Sequence, residues 1–306
     1  MNVVVVGASG LLGAHLVEEA LARGCAVIAI ARKFPLRSGA HHLKDRVRLI
    51  EADVTAVDPA ELRGADVLVN AAARVEASAE ASLVSQSVEL LQTVASLRER
   101  AGIAEFVHVS SVATLSDGTP GKTVSETDHG QGRDTPYAQG KLLCDQWIER
   151  KLGPTLTIHP CYLLGRWDAK PSSGSILLAL QMGKLRGGRP GKKNFVHARD
   201  VARGLFDAQA AQLKERFVLG GENWDSTLFL EECLRQLGAE KSLPLMSDQE
   251  FSEATLAREF FSSNAVDDGK ARAAFAYAPR VSVQDAIAET IAYFREYRLL
   301  PKVRVP

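Results

Sequence analysis

Apolar residues follow two alternating patterns through the first half of the chain. Short runs rich in β-branched residues, apolar on both faces, are typical of strands buried in a parallel sheet. Segments with helically spaced apolar residues separate these runs, as expected of helices that pack one face against a sheet. The runs predict strands at Val3–Val6, Val27–Ala31, Val47–Glu51, Val67–Ala71 and Phe106–Ser110, and the spaced segments predict helices near Ala14–Arg23, Glu80–Arg100 and Tyr137–Lys151.

This alternation predicts an α/β fold with a doubly wound parallel sheet of the Rossmann type. In such a sheet the ligand site lies beyond the carboxyl ends of the strands. The last residues of each strand, and the loop that follows, are therefore the candidates for a functional site.

The first strand runs into a glycine-rich turn, Gly7-x-x-Gly10-x-x-Gly13, and a helix follows. Glycines at such a turn permit a tight bend, backbone access to a diphosphate and close packing of helix on strand. The diphosphate would bind the free N–H groups where the helix begins. We therefore predict a dinucleotide site, with a glycine-rich turn that binds nothing as the alternative. Its predicted contacts are Gly7, Ser9, Gly10, Leu11, Leu12 and Gly13.

The second half of the chain lacks regular alternation, which predicts a different role for it. A short helix over 172–185, a strand over 217–221 and amphipathic helices at Leu228–Leu237 and Val283–Tyr297 are indicated. We predict a dinucleotide-binding domain over residues 1–160, with residues 195–220 returning to it. Residues 161–194 and 221–306 would form a smaller C-terminal substrate lobe.

Charge and composition exclude several classes of protein. The 306 residues carry 37 basic and 37 acidic side chains, so no net charge attracts nucleic acid or an acidic membrane. The four cysteines form no Cys-x-x-Cys pair, as expected of reduced thiols, and His41-His42 has no metal-ligand spacing around it. No apolar run approaches the roughly 20 residues of a membrane span. We expect a soluble, cytoplasmic protein with no bound metal.

The end of the second predicted strand favours NADP(H) over NAD(H). NAD-selective folds place an acidic residue here for the ribose 2′-hydroxyl, whereas an arginine accommodates a 2′-phosphate. This chain has Ala31, then Arg32 and Lys33. A planar guanidinium can pair with the phosphate and stack on adenine. The alternative is a pair of solvated loop cations.

Two further strand ends offer cofactor contacts. Asp53 and Val54 follow the third strand, where they could contact the adenine edge, although a strand-end cap is nearly as good an interpretation. Small residues follow the fourth strand and would let a cofactor lie close to the backbone, unless they serve packing alone. These are Ala71, Ala72 and Ala73, and Arg74 comes next as a candidate substrate contact.

The strongest chemical signal combines Ser111, after the fifth strand, with Tyr137 and Lys141. Pro136 suits the first turn of a helix, and the i, i+4 spacing places Tyr137 and Lys141 on one helix face. A phenol, with an ordinary pKa of about 10, is a weak acid–base at neutral pH, and a neighbouring ammonium stabilises its phenolate form. Ser111 supplies a hydroxyl that could hold a carbonyl oxygen. Downstream of the glycine turn, this set predicts acid–base catalysis.

With these residues in place, the chain resembles the extended short-chain dehydrogenase/reductase superfamily over nearly its whole length. Within the superfamily, Ala31-Arg32 and the segment from Gly165 to Ser172 look most like the dihydroflavonol-reductase and 3β-hydroxysteroid-dehydrogenase-like branch. The matching motifs are Gly7-x-x-Gly10-x-x-Gly13, Asp53-Val54, Asn70 to Ala73, Val109-Ser110-Ser111, Tyr137-x-x-x-Lys141, Pro160 to Gly165, Phe195-Val196-His197-x-x-Asp200-Val201-Ala202 and Tyr277-x-Pro279.

The resemblance implies roles for the matching residues. Tyr137 would be the acid–base, Lys141 would bind the nicotinamide ribose and tune the tyrosine, and Ser111 would orient the substrate carbonyl. Pro160 would contact the cofactor, and Tyr162 and Trp167 would join Arg74 and Ser111 on the substrate side. A homodimer is also implied, with Glu80–Arg100 and Tyr137–Lys151 from each subunit forming a four-helix interface.

Two positions depart from the family pattern. Ser87 occupies the place of an asparagine that holds a relay water in many members, which puts the relay in doubt. His159 precedes Pro160 where many members have arginine, and either a substrate contact or a packing role would explain it.

Three functions remain open at this point. The leading interpretation is an NADPH-dependent reductase of a ketone or aldehyde on a small organic substrate. The second is a redox-neutral nucleotide-sugar epimerase or dehydratase, which the five cations between Lys184 and Lys193 would suit as a clamp for an anionic group, unless that segment is a solvated loop. The third is a catalytically silent NADP(H)-binding sensor.

Overall fold

The computed structural model describes residues 1–73, 80–117, 119, 121–132, 135–185, 187–239, 242–247, 249–250, 260–261 and 264–301. A seven-stranded sheet forms its centre, and all its strand pairs are parallel. In spatial order the strands are β3 (Arg48–Glu51), β2 (Ala26–Ala31), β1 (Asn2–Val6), β4 (Val67–Asn70), β5 (Glu105–Val109), β7 (Leu156–Pro160) and β10 (Arg216–Leu219).

Helices cover both faces of this sheet because successive residues of a strand point to opposite sides. The helices are α1 (Leu11–Ala22), α2 (Gly39–His42), α3 (Glu80–Arg100), α4 (Pro136–Lys151), α5 (Ser175–Gln181), α6 (Ala198–Ala210), α7 (Ser226–Leu237), α8 (Gly269–Phe275) and α9 (Val283–Glu296). Val3 and Val5 of β1 pack with α1 and α6, whereas Val4 and Val6 pack with α3 and α4. None of the helices in the described part of the chain is long and apolar enough to cross a membrane.

A second, three-stranded sheet lies in the C-terminal half. Its strands, in order, are β11 (Glu222–Asp225), β9 (Lys192–His197) and β8 (Tyr162–Leu164). Helices α5, α7 and α9 pack with it around a separate aromatic core that includes Phe195, Phe229 and Phe294. A short pair, β6 (Thr123–Val124) with β12 (Ala265–Val266), completes the strands.

The predicted α/β fold with a doubly wound parallel sheet is confirmed. The sheet also includes β10, so the chain returns to it after the smaller sheet has begun. Strand β9 belongs instead to the smaller sheet, while α6 packs on α1. The assignment of whole domains to cofactor and substrate stays a prediction.

Candidate active site

The glycine turn brings backbone segments closer together than side chains would allow. Gly7 adopts φ +87°, and a Cβ there would lie 2.6 Å from the amide nitrogen of Ala72. A Cβ on Gly13 would lie 2.1 Å from the carbonyl oxygen of Gly7. Both glycines are therefore needed for the approach of α1 and the β4 loop to β1.

Gly10 has a different environment. It is the N-cap of α1 without a side-chain hydrogen bond, and a Cβ there would meet only the Gly7 oxygen, at 3.4 Å. The first N–H groups of α1, at Leu11 and Leu12, thus border open space at the positive end of the helix dipole. These features fit a dinucleotide diphosphate, which Ser9, Leu11 and Leu12 would hold.

The predicted 2′-phosphate site lies at the end of β2. Arg32 and Lys33 are both exposed. Glu51, at the end of the neighbouring β3, pairs with Ala31, and its carboxylate accepts the N–H of Phe34 at 2.9 Å. Two cations and one carboxylate therefore share this corner of the sheet.

The Asp53 and Val54 side chains have structural roles. Asp53 accepts the backbone N–H of Thr55 at 3.1 Å and its hydroxyl at 2.9 Å, and so caps the short 3-10 turn that follows. Val54 is buried in the core shared with α3 and α4. These contacts match the strand-end cap that the sequence left open, and an adenine contact of Asp53 stays a prediction.

Asn70 shapes the loop after β4. Its side-chain oxygen accepts the N–H of Ala72 at 3.2 Å, which turns the Ala71–Ala72 backbone against Gly7. Ala73 is exposed at the end of this loop. Arg74, the predicted substrate contact, lies outside the described residues.

Ser111, Tyr137 and Lys141 come from two adjoining elements. Thr135 accepts the N–H of Ala138 at 3.3 Å and Pro136 occupies the first turn, so α4 begins immediately before Tyr137. Lys141 is 7% exposed and its Nζ donates to the carbonyl oxygen of Val109 at 2.8 Å, which ties α4 to the end of β5.

Ser111 follows that same strand end. Its Oγ accepts the N–H of Ala113 at 3.1 Å, which leaves the hydroxyl proton available to a ligand. The 3-10 turn Val112–Thr114 that Ser111 caps packs against α4. The structure therefore places the serine beside the helix that carries the tyrosine and lysine.

A cavity of about 10 Å³ lies between α3 and α4, and this is roughly the space of one water. Tyr137, Lys141 and Ser87 line it, together with Asn70 and His108. The Ser87 hydroxyl donates its proton to the Leu83 carbonyl oxygen at 2.7 Å within its own helix. Only lone pairs of Ser87 are then left for a water, so it cannot donate as an asparagine amide could.

A buried polar cluster, which no sequence pattern indicated, lies behind this site. Asp145 is 3% exposed, and its Oδ2 accepts the Ser110 hydroxyl at 2.8 Å and His129 Nε2 at 3.2 Å. His108 Nε2 lies 3.8 Å from the other carboxylate oxygen. The fully buried His159 donates Nδ1–H to the Ser111 carbonyl oxygen at 3.1 Å, which fits its packing alternative.

The two predicted substrate aromatics have different surroundings. Tyr162 packs edge-on against Phe195 and Phe260, and its hydroxyl donates to the Ser173 oxygen at 2.6 Å. Trp167 is 9% exposed, and its indole N–H is donated to Glu18 of α1 at 3.2 Å. The indole thus packs against α1, and Trp167 stays a predicted substrate contact.

Of the five cations between Lys184 and Lys193, Arg186 lies outside the described residues and the other four differ in exposure. Lys184 and Lys192 are exposed, whereas Lys193 is 7% exposed. Lys193 Nζ lies over the Tyr162 and Phe260 rings, 4.6 and 4.9 Å from their centroids. This difference in exposure weakens the proposed anion clamp.

Within the described ranges, His15, His197 and Glu289 form one group of possible metal ligands, with ligand atoms within 4.8 Å. His197 Nδ1 accepts the N–H of Arg199 at 3.0 Å, so its proton lies on Nε2, 3.2 Å from Glu289. A protonated nitrogen cannot bind a metal. Burial alone would raise the pKa of Glu289, but His197 and Arg199 lower it to about 2. We interpret the group as a packing cluster between α1 and α9, in which neutral His197 donates to the Glu289 carboxylate.

Comparison with known proteins agrees with this fold and site. The family model for the NAD dependent epimerase/dehydratase family matches residues 3–220, and the chain belongs to that family. The predicted resemblance to extended short-chain dehydrogenases/reductases is thereby confirmed, as is the prediction of an enzyme that uses a nicotinamide dinucleotide.

Individual relatives cover the chain to different extents. Sterol demethylase protein B of Methylococcus capsulatus is 28% identical, covering 97% of this chain and 99% of its own. A ketoreductase of a farnesyl-dihydroquinoline oxide from Stigmatella aurantiaca is 30% identical over 55% of this chain and 52% of its own. The structure of DesIV, a dTDP-glucose 4,6-dehydratase of Streptomyces venezuelae with NAD and TYD bound, is 22% identical with a TM-score of 0.78, covering 99% of this chain and 100% of its own.

Proposed function

We propose that this protein is an NADP(H)-dependent reductase of a ketone or aldehyde on a small organic substrate. The observation that carries the proposal is the convergence of Ser111, Tyr137 and Lys141 at the carboxyl end of β5. NADPH, when bound, supplies the hydride. The chain's own residues then have to bind the carbonyl group and deliver one proton to its oxygen.

Each of the three residues has a distinct task. Tyr137 gives its phenolic proton to the carbonyl oxygen as charge develops there. Ser111 donates a hydrogen bond to the same oxygen, because its Oγ accepts from Ala113 and its proton remains free. The Lys141 ammonium, held by Val109, stabilises the phenolate that Tyr137 leaves behind.

A preference for NADP(H) is proposed from Arg32 and Lys33. Both side chains are exposed, and no acidic residue stands at the end of β2 itself. Their two positive charges exceed the single negative charge of the neighbouring Glu51. Arg32→Ala should weaken NADPH binding by about 10- to 100-fold, or ~1.5–3 kcal/mol for a charge-assisted contact. NADH affinity of the same variant is the control and should stay unchanged. Equal loss for both cofactors would contradict the proposal.

The substrate side is proposed from the lobe around Tyr162. Its aromatic core and the two relatives named for a sterol and a farnesyl compound favour an apolar substrate over a sugar nucleotide. The family description, which includes epimerases and dehydratases, keeps a redox-neutral reaction as the second candidate.

One assay separates these candidates from a silent sensor. Purified protein should bind NADPH and oxidise it when given members of a panel of apolar ketones and aldehydes. An epimerase or dehydratase would instead retain its cofactor and show no net NADPH consumption. A sensor would bind NADPH and turn over no substrate in either assay, which would overturn the proposal.

A homodimer in the cytoplasm remains part of the proposal. Helices α3 and α4 pack together, and Leu143 on α4 is 39% exposed, as an interface residue would be in an isolated subunit. Pro160 is proposed as a cofactor contact from its place at the end of β7.

A further inference from the structure

The buried carboxylate of Asp145 links the two elements that carry the catalytic residues. Asp145 lies one turn after Lys141 on α4, so Tyr137, Lys141 and Asp145 lie along one helix face. Asp145 accepts a hydrogen bond from Ser110, the residue directly before Ser111. It accepts a second hydrogen bond from His129, which lies in the segment that leads into α4.

The backbone carbonyl oxygen of Ser111 is hydrogen-bonded from the other side of the same cluster. Its carbonyl oxygen accepts from Thr114 Oγ1 at 2.9 Å as well as from His159. The His159 ring meets the His129 ring edge-on, with centroids 5.9 Å apart. A substitution of Asp145 would therefore alter the position of Ser111 both through Ser110 and through His129 and His159.

Charged and titratable groups face Asp145 from every element packed against it. Lys141 and Cys144 share its helix, His108 comes from β5 and Ser110 directly follows it, His159 comes from β7 and His129 from the segment before α4. Burial alone would raise the pKa of Asp145, but the hydrogen bonds from His129 and Ser110 help to hold it below its usual value. Burial lowers the pKa of His108 and of His159, so these rings are neutral near pH 7.

We propose that Asp145 is a positioning residue for the proposed reaction. Its carboxylate fixes Ser111 and α4 relative to each other, and it supplies the negative charge one turn from the Lys141 ammonium. The positioning role rests on the proposed function of Tyr137 as proton donor. The charge effect can be measured without any substrate.

The size of the charge effect follows from the helix geometry. Residues 137 and 145 are separated by eight positions, or about 12 Å along the axis. At an effective dielectric of roughly 20 to 40, a unit charge at that distance shifts a phenol titration by about 0.5–1 pH unit. Because a negative charge opposes phenolate formation, its removal should move the titration midpoint to lower pH.

The tyrosines other than Tyr137 make this titration readable. Burial raises the pKa of each of them, which moves their phenolate signals to higher pH. The experiment is a near-ultraviolet pH titration of the NADP(H)-bound protein with and without Tyr137→Phe, from which the Tyr137 signal is the difference. The four tyrosines whose pKa is raised are Tyr162, Tyr277, Tyr293 and Tyr297.

Asp145→Asn should lower the Tyr137 midpoint by about 0.5–1 pH unit, and Asp145→Glu, which keeps the charge, should restore it. Glu149→Gln is the matched control on the same helix. Glu149 is half-exposed and ion-paired with Arg216, so screening should keep its effect below about 0.2 unit. A midpoint unchanged in Asp145→Asn, or equally shifted by Glu149→Gln, would overturn the charge role.

Turnover tests the positioning role separately. Asp145→Asn should lower kcat by about tenfold or more with KM and NADPH affinity within about twofold, since the loss is in transition-state geometry. If Asp145→Asn does not fold, Ser110→Ala serves instead, and it should lower kcat at unchanged KM. An unchanged kcat in the folded variant would overturn the positioning role. Wild-type protein without reductase activity would refute the proposed function but leave the titration result standing.

Discussion

Acidification should destabilise the fold through His15, a histidine of helix α1. His15 is 1% exposed and its Nδ1–H is donated to the Leu11 carbonyl oxygen at 2.9 Å. Its Nε2 is buried without a hydrogen-bond partner among the described residues. Burial lowers the pKa of His15 from 6.5 to about 3, against a smaller opposing effect of the Leu11 bond.

The sign follows from proton uptake. Below about pH 6.5 the unfolded chain protonates His15 while the folded protein does not, so stability falls as the pH drops toward 3. At pH 5, which is 1.5 units below the unfolded pKa, one such histidine costs about 2 kcal/mol. That is a large share of the roughly 5–15 kcal/mol that stabilises a typical domain.

Urea unfolding of the wild type and of His15→Asn at about pH 7.5 and about pH 5 measures this cost. Asparagine keeps a donor for Leu11 but does not titrate. The variant should be less stable at the higher pH, where it has only lost packing, yet it should lose about 2 kcal/mol less than the wild type on acidification. An equal loss in both proteins would refute the reasoning. His108, whose pKa burial and Lys141 lower to about 3, should behave in the same way.

Two further predictions concern the turn and the subunit interface. Gly13→Ala should disrupt the fold, because its Cβ would lie 2.1 Å from the Gly7 oxygen. Gly10→Ala should fold normally, but it should bind NADP(H) at least tenfold more weakly because its methyl group enters the open space where α1 begins. Thermal unfolding and cofactor titration of the two variants distinguish these effects, and normal cofactor affinity in Gly10→Ala would contradict the diphosphate position. Light scattering at micromolar concentration should show a dimer that Leu143→Asp dissociates, and a wild-type monomer would exclude the proposed interface.

The first half of the chain was predictable because its strands are buried on both faces. Their apolar runs stand out from the sequence, and the ends of β1 to β5 lie within a residue or two of the expected positions. Helix α3 has the predicted bounds, and α1 begins at Leu11 rather than near Ala14 because Gly10 caps it.

The second sheet was not predicted because two of its three strands, β9 and β11, carry polar residues. Strand β9 begins Lys192-Lys193-Asn194, yet Lys193 and Asn194 are buried, so polarity hides the strand. Trp167 was predicted as a substrate contact from its motif, and the sequence gives no sign that its indole packs on Gly39, where a Cβ would come within 2.8 Å of the ring.

The polar cluster at Asp145 left no trace in the sequence for a related reason. A carboxylate on a helix is typically solvated, and Ser110, which pairs with Asp145, lies 35 positions earlier. Only the packing of α4 on β5 brings the two side chains together.

Turnover of Tyr137→Phe tests the central claim most directly. The change removes one hydroxyl and keeps the ring, so folding and NADPH affinity should match the wild type, while NADPH-dependent carbonyl reduction falls by about 10²–10⁴. Tyr297→Phe is the control, since its hydroxyl bonds His42 at 2.8 Å and takes no part in the proposed site. If Tyr137→Phe keeps turnover within about threefold of the wild type, Tyr137 is not the proton donor and the proposed mechanism is wrong.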